Sequence, residues 1–572
     1  MIIPRPAEHT ALPGEFVLGP ALTLLAGPGT QRAADLLAEY LGAGRTRSAV
    51  GPPILLRLDP AAHDHPHGYD LLIEPDQVTL AAPAEAGLFN GVQTLRQLLP
   101  PEALDPATAA SDRWRWPACR VRDAPRLAWR GMMLDTVRHF MPIGFLHRLV
   151  DELALHKLNI LHLHLTDDQG WRIEIDGLPL LTEIGATRSE SMVGRAGSTV
   201  FDGVPHSGHY TRAELTELVR YAASRGVTIV PEIGMPSHTR AALAAYPELG
   251  NRPDVRLPVW TSWGISEDIL GVHDAALDFG RQVLSEVMTI FPSRNIHIGG
   301  DECRTAQWAA SPVARQRAAE LGLSDISQLL GWFLQQMHSF LGEHGRRAVC
   351  WNDGVGNDAL DPSIVATAWL KPEHAAEAIA RGHQVLMSPH EQTYLDYRQT
   401  LHPAEPPSPD DRVLTLADAY AFDPLPLGQR GVGAAALDDG SGGPGVLGTQ
   451  AQLWTECAPT PEVVRHLIYP RLCALAEGAW SDERRDPEEF TRRLRHHLRR
   501  LAAVGALPET RPEGWDDGVS VTGGSDERGG SDERGGSDER GGSDERGGSG
   551  GSGGSGDSGD SGGPAGTDLP VR

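Results

Sequence analysis

The sequence predicts an α/β protein: a (β/α)8 TIM barrel over residues 123–505, preceded by a small α+β domain over 1–122 and followed by a disordered, acidic tail over 506–572. Three observations carry that expectation. From Trp129 onward eight strand-like runs alternate with amphipathic helices, the order that parallel strands with helical crossovers require. Ahead of them, short strand-like runs and two helices occur without that alternation. Behind them the chain becomes a short polar repeat that cannot bury a core.

In the first segment the runs 69–73 and 78–80 read as strands, and 31–41 and 87–99 as helices. The second helix places Leu88, Val92, Leu95 and Leu99 on one face. No chemistry is visible here, so the segment reads as a buttress. The barrel strands are expected at 130–135, 160–165, 227–231, 295–299, 348–351, 364–369, 384–388 and 446–453. Helices are expected at 143–156, 212–224, 275–291, 327–344 and 372–381, with one of the eight irregular or missing. Four copies of Gly-Gly-Ser-Asp-Glu-Arg run from 523 to 546, and Gly/Ser/Asp repeats follow, which is the composition of a flexible linker.

Over 572 residues, 40% hydrophobic and 22% charged composition is that of a globular protein with a large core. A net charge of −25 argues against nucleic acid as a partner. The five cysteines are odd in number and lack metal-ligand spacing, so free thiols in a reducing compartment are expected. The first residues lack a basic segment before an apolar core, and no apolar run approaches the roughly 20 residues that span a bilayer. The expectation is a cytoplasmic protein without membrane contact, without a metal or other cofactor, and with its oligomeric state open.

In such a barrel, chemistry gathers where strands end. The first strand ends at Asp135, followed by Arg138-His139-Phe140; the second runs His162-Leu163-His164-Leu165-Thr166-Asp167-Asp168-Gln169-Gly170-Trp171. The third leads to Pro231-Glu232-Ile233-Gly234-Met235-Pro236-Ser237-His238, and the fourth to His297-Ile298-Gly299-Gly300-Asp301-Glu302. Trp351, Trp369, Tyr394 with Asp396, and Trp454 with Glu456 end the remaining four. Aromatic faces stack on pyranose rings while acids and guanidinium bond their hydroxyls, so this mixture points to a saccharide. Adjacent carboxylates such as Asp301 and Glu302 cannot readily flank a sugar ring, as the two-carboxylate glycosidase mechanisms require. Some other group must attack.

These motifs, in this order, resemble β-N-acetylhexosaminidases of glycoside hydrolase family 20. The resemblance covers about 123 to 505, and the first segment is similar to that family's non-catalytic domain. It implies retaining hydrolysis of terminal β-linked N-acetylglucosamine or N-acetylgalactosamine, from chitooligosaccharide or glycan ends, with the substrate's 2-acetamido oxygen as nucleophile. By the same resemblance Glu302 is the general acid and base, Asp301 stays ionised to orient the acetamido group, and Tyr394 donates to its oxygen. Trp351, Trp369 and Trp454 wall the pocket, Arg138, Asp396 and Glu456 hold hydroxyls, and Asp167, His238 and His297 support.

Two departures from the family pattern stand out. Gly234 and Ser237 occupy positions where the family usually has Asp and Gly, so a supporting carboxylate near His238 is expected to be missing. Residues 416–422 stand where many relatives carry a further pocket tryptophan. Two rival readings are a metal-dependent barrel hydrolase built on His162 and His164, and a sugar-binding protein without catalysis.

Overall fold

The structure, a computed structural model, describes residues 1–507 apart from 20, 43–45, 48–50, 106, 108, 110–113, 356–359, 426–430 and 482–485. The tail expectation for 508–572 lies outside the described residues. Ala506, by contrast, is fully buried against the core, so the packed chain runs at least that far.

The first segment forms a seven-stranded mixed sheet in the order Glu8–Val17, Arg115–Asp123, Tyr69–Ile73, Val78–Ala82, Pro53–Leu58, Ala21–Ala26, Thr46–Arg47. Helix Glu85–Leu98 buries Leu88, Val92 and Leu95 and packs against both this sheet and the barrel helix Ile143–Leu155. Asp123, the last residue of the sheet, ties the two halves together: it accepts from Tyr69 Oη (2.9 Å), Lys157 Nζ (2.8 Å) and Trp480 Nε1 (3.0 Å). All four side chains are buried, and a buried charge so completely bonded fixes one geometry.

The barrel closes through eight parallel strands, each paired with the next: Trp129–Asp135, Ile160–His164, Thr228–Glu232, Asn295–His297, Arg347–Trp351, Val365–Ala368, Gln384–Met387 and Gly445–Leu453. Nearly every residue in them is buried, as expected where helices cover one face and the barrel interior the other. Sequence signals set the intervening helices. Arg212–Ala223, for example, starts with a reciprocal Thr211/Glu214 cap and turns Leu215, Leu218 and Ala222 inward. The irregular unit lies between the fifth and sixth strands, where the described residues hold only the 3-10 turn Asn352–Gly354. Among the described residues no helix is long and apolar enough to cross a membrane.

Candidate active site

After the fourth strand the chain turns through Gly299 (φ +70°) and Gly300 (φ +94°) to present Asp301 and Glu302. A Cβ on Gly299 would lie 2.8 Å from Gly234 Cα, so a side chain there would push the third and fourth strand loops apart. Among the described residues only three others than glycine have left-handed backbone, and two of them, Glu302 (φ +50°) and His238 (φ +55°), face one cavity. Such backbone costs on the order of 1 kcal/mol or more per residue and is retained where a side chain must be aimed.

That cavity, about 270 Å3 with its open mouth, is lined by Arg138, His238, Asp301, Glu302, Trp351, Trp369, Tyr394 and Trp454. Eight of the twelve side chains singled out in the sequence therefore meet. Their aromatic part is continuous: Trp351 and Trp454 have ring centres 6.0 Å apart, Tyr394 and Trp454 6.4 Å, and Trp369 stacks within 20° of Tyr394 at 6.4 Å.

The other four lie behind this lining. His297 packs edge-on against Trp351 with ring centres 5.0 Å apart. Asp167 contacts Arg138 Nη2 at 3.0 Å, and Glu456 lies 3.9 Å from the same nitrogen. Asp396 is buried, and after burial itself Glu456 and Asp396 push the Cys457 thiol up to about 12. Arg138 also meets Asp135 (3.3 Å) and Gln169 (3.0 Å) and sits 5.0 Å over the Trp454 ring. Burial opposes its charge, but Asp167, Glu456 and Asp135 outweigh it and keep the guanidinium ionised.

His238 stands between two pairs of acids. Its Nδ1 lies 3.3 Å from both Asp167 and Asp168, and its Nε2 lies 3.4 Å from Glu302 and 3.7 Å from Asp301. Against the effect of burial, Asp167 and Asp301 hold its proton affinity well above the ordinary value. Burial pushes Asp301 up to about 7; Glu232, Glu302 and Asp353 add to the rise and His238 opposes it. Burial thus works against the ionised Asp301 that the resemblance implies, and His238 works for it.

One expectation changes. A carboxylate beside His238 is present after all, because Asp168 supplies it, while Ser237 Oγ donates to the Asp301 carbonyl at 2.5 Å. Where many relatives carry a further pocket tryptophan, Leu416–Ala421 is a helix packed on helix Arg471–Trp480, with Tyr420 stacked on Phe490.

Glu232, quoted in the sequence motif but given no role, is the hub beneath the cavity. It accepts from Trp351 Nε1 (2.9 Å) and His164 Nδ1 (2.7 Å), and lies 3.0 Å from His162 and from His297. Although burial favours its neutral form, His297 and His164 pull it well below the usual carboxylate range. His164 is raised to about 10, since Glu232 and Asp167 overcome its burial, and both its ring nitrogens are engaged. Both histidines of the His162/His164 pair are thus engaged with Glu232. Asp353, two residues beyond Trp351, was missed as well; it accepts from Trp369 Nε1 at 2.7 Å. Asking which acids follow each strand end would have found both.

Comparison with known proteins then settles the family. Residues 127–483 match the family described as Glycosyl hydrolase family 20, catalytic domain, and residues 1–124 match Glycosyl hydrolase family 20, domain 2. The chain belongs to glycosyl hydrolase family 20. It is 34% identical over 538 residues to a β-hexosaminidase of Porphyromonas gingivalis, covering 91% of this chain and 66% of that one. To a β-N-acetylhexosaminidase of Cellulomonas fimi it is 32% identical, covering 87% and 93%. Among solved structures, the Vibrio harveyi family 20 exo-β-N-acetylglucosaminidase in complex with N-acetylglucosamine aligns with a TM-score of 0.77 at 28% identity, covering 88% and 77%. The Streptomyces plicatus N-acetyl-β-hexosaminidase in complex with Thio-NAglucal aligns at 0.73 and 32%, covering 89% and 96%. Family 20 membership makes this chain a glycoside hydrolase of the hexosaminidase type, with the barrel and preceding domain expected from the sequence; the non-catalytic sugar-binding alternative finds no support.

Proposed function

We propose that this protein removes terminal β-linked N-acetylglucosamine or N-acetylgalactosamine with retention, the substrate's own acetamido oxygen acting as nucleophile. One observation carries the reading. Among the described residues the acids lining the cavity are Asp301 and Glu302, chain neighbours that both lie within 3.7 Å of the His238 Nε2. Two carboxyls so placed cannot stand on opposite sides of an anomeric carbon.

Glu302 donates its proton to the glycosidic oxygen while the acetamido carbonyl oxygen closes on C1, so the C1–O bond breaks as an oxazolinium ring forms. Water then adds to C1 as the oxazolinium C1–O bond breaks and the acetamide is restored, and the water gives a proton back to Glu302. Ionised Asp301 accepts from the acetamido N–H and balances the charge that develops on it, and Tyr394 donates to the acetamido oxygen. Arg138, Glu456 and Asp396 take the ring hydroxyls, and the aromatic lining takes the sugar face. The hexosaminidase relatives and a similar structure holding N-acetylglucosamine support this substrate class. Five free cysteines support a reducing, cytoplasmic setting.

Nitrophenol release from a nitrophenyl N-acetyl-β-glucosaminide, blocked by a thiazoline mimic of the oxazolinium, is the expected result. A protein that cleaves this substrate but ignores the thiazoline would overturn the mechanism.

A further inference from the structure

The turn after the fifth barrel strand does more than end it. Asn352 Oδ1 accepts from the backbone N of Trp369 at 3.0 Å, and Asp353 Oδ2 accepts from its indole Nε1 at 2.7 Å. The other oxygen of the same carboxylate, Oδ1, lies 3.4 Å from the backbone N of Glu302. That is a long hydrogen bond, yet it falls on the one cavity acid with left-handed backbone. The two turns also share a packing partner: a Cβ on Gly300 would come within 2.9 Å of Leu334 Cδ1, and one on Gly354 within 2.5 Å of the same atom. Leu334 is fully buried, so neither turn can shift without disturbing the other.

We propose that Asp353 is a positioning residue that clamps the Glu302 backbone to the Trp369 wall, so that proton donor and sugar-binding surface keep a fixed spacing. The inference rests on the function proposed above. Its carboxyl lies behind the cavity acids: burial raises its proton affinity, and Glu302 adds to the rise. Among the described residues the titratable groups around Glu302 include His238 from the third strand loop, Asp301 and Cys303 on its own loop, Asp353 with Cys350 from the fifth strand, and Tyr394 in the same cavity lining. Of these Asp353 adds a negative charge without being a neighbour in sequence, and a nearby anion disfavours loss of a proton from Glu302.

Asp353→Asn keeps one of the two acceptors, replaces the other with a donor and removes the charge; Asp353→Ala removes both acceptors and the charge. In the full chain Asp353→Ala is expected to lower kcat roughly 30- to 100-fold for a disaccharide, whose leaving group needs a proton, and much less for a dinitrophenyl glycoside, which needs none. Asp353→Asn is expected to leave KM near its normal value and move the alkaline limb of kcat down by about 0.5–1 pH unit. Equal losses for every leaving group, with an unmoved limb, would reduce Asp353 to a structural residue and overturn the proposal. A crystal structure of Asp353→Ala gives a readout independent of activity: Trp369 rotated and Glu302 out of the left-handed region support the clamp, and both unmoved refute it. A wild-type chain inactive on N-acetylhexosaminides would instead sink the function reading, leaving this structural readout to decide the clamp.

Discussion

Two clusters of acids and histidines lie back to back in this barrel, and they behave in opposite ways. Behind the tryptophan wall, Glu232 is surrounded by His162, His164 and His297 and bonded by Trp351; its proton affinity falls and that of His164 rises to about 10. In front, Asp301, Glu302 and Asp353 crowd one another with a single histidine among them, and Asp301 rises to about 7. Burial is common to both. Around Glu232 the interactions with His297 and His164 outweigh it, whereas around Asp301 the neighbouring acids add to it and His238 only partly opposes it.

The sharpest way to test the difference is to neutralise one acid on each side. Glu302→Gln is expected to lower kcat by about 10^2 to 10^4 on a glycoside with a poor leaving group while leaving the thermal midpoint nearly unchanged. Glu232→Leu strands the His164 charge in the interior and is expected to destabilise the fold by about 3–5 kcal/mol, read as a lower urea midpoint. Smaller still is Trp351→Phe, which removes the donor to Glu232 and is expected to cost about 1–3 kcal/mol in the same measurement.

The smallest effect has the opposite sign. Because the folded protein raises Asp301 from 3.8 to about 7, its contribution to stability is complete below pH 3.8 and is lost as pH rises through 7. Asp301→Asn escapes that loss and is expected to be more stable than the parent at pH 8, on the order of 1 kcal/mol, though inactive. The same titration is expected to place the acid limb of kcat/KM near pH 7, since binding the acetamido group calls on the ionised form. A limb near pH 4 would show that the front cluster does not raise its acids.

Much of this was legible in the sequence because barrel strands are short apolar runs with polar ends, and the ends carried the chemistry. Arg138, Asp301, Glu302, Trp351, Trp369, Tyr394 and Trp454 could be singled out one strand at a time. What escaped were relations across strands. Nothing local in Pro231-Glu232-Ile233 shows that three histidines from two other strands will surround its carboxylate. The carboxylate that Asp168 supplies to His238 was overlooked because Gly234 drew attention to a gap in the motif, and the gap is filled from another loop. The resemblance implies an ionised Asp301; the rise to about 7 comes first from burial, and then from acids that include Glu232, 69 residues away in the chain.

The central claim is that the substrate supplies the nucleophile, and one rate comparison tests it most directly. With matched nitrophenyl leaving groups, the N-acetyl-β-glucosaminide should be hydrolysed readily and the β-glucoside that lacks the 2-acetamido group should not be hydrolysed measurably above background. Comparable kcat values for the two sugars would contradict the account, because they would require an attacking group from the protein itself.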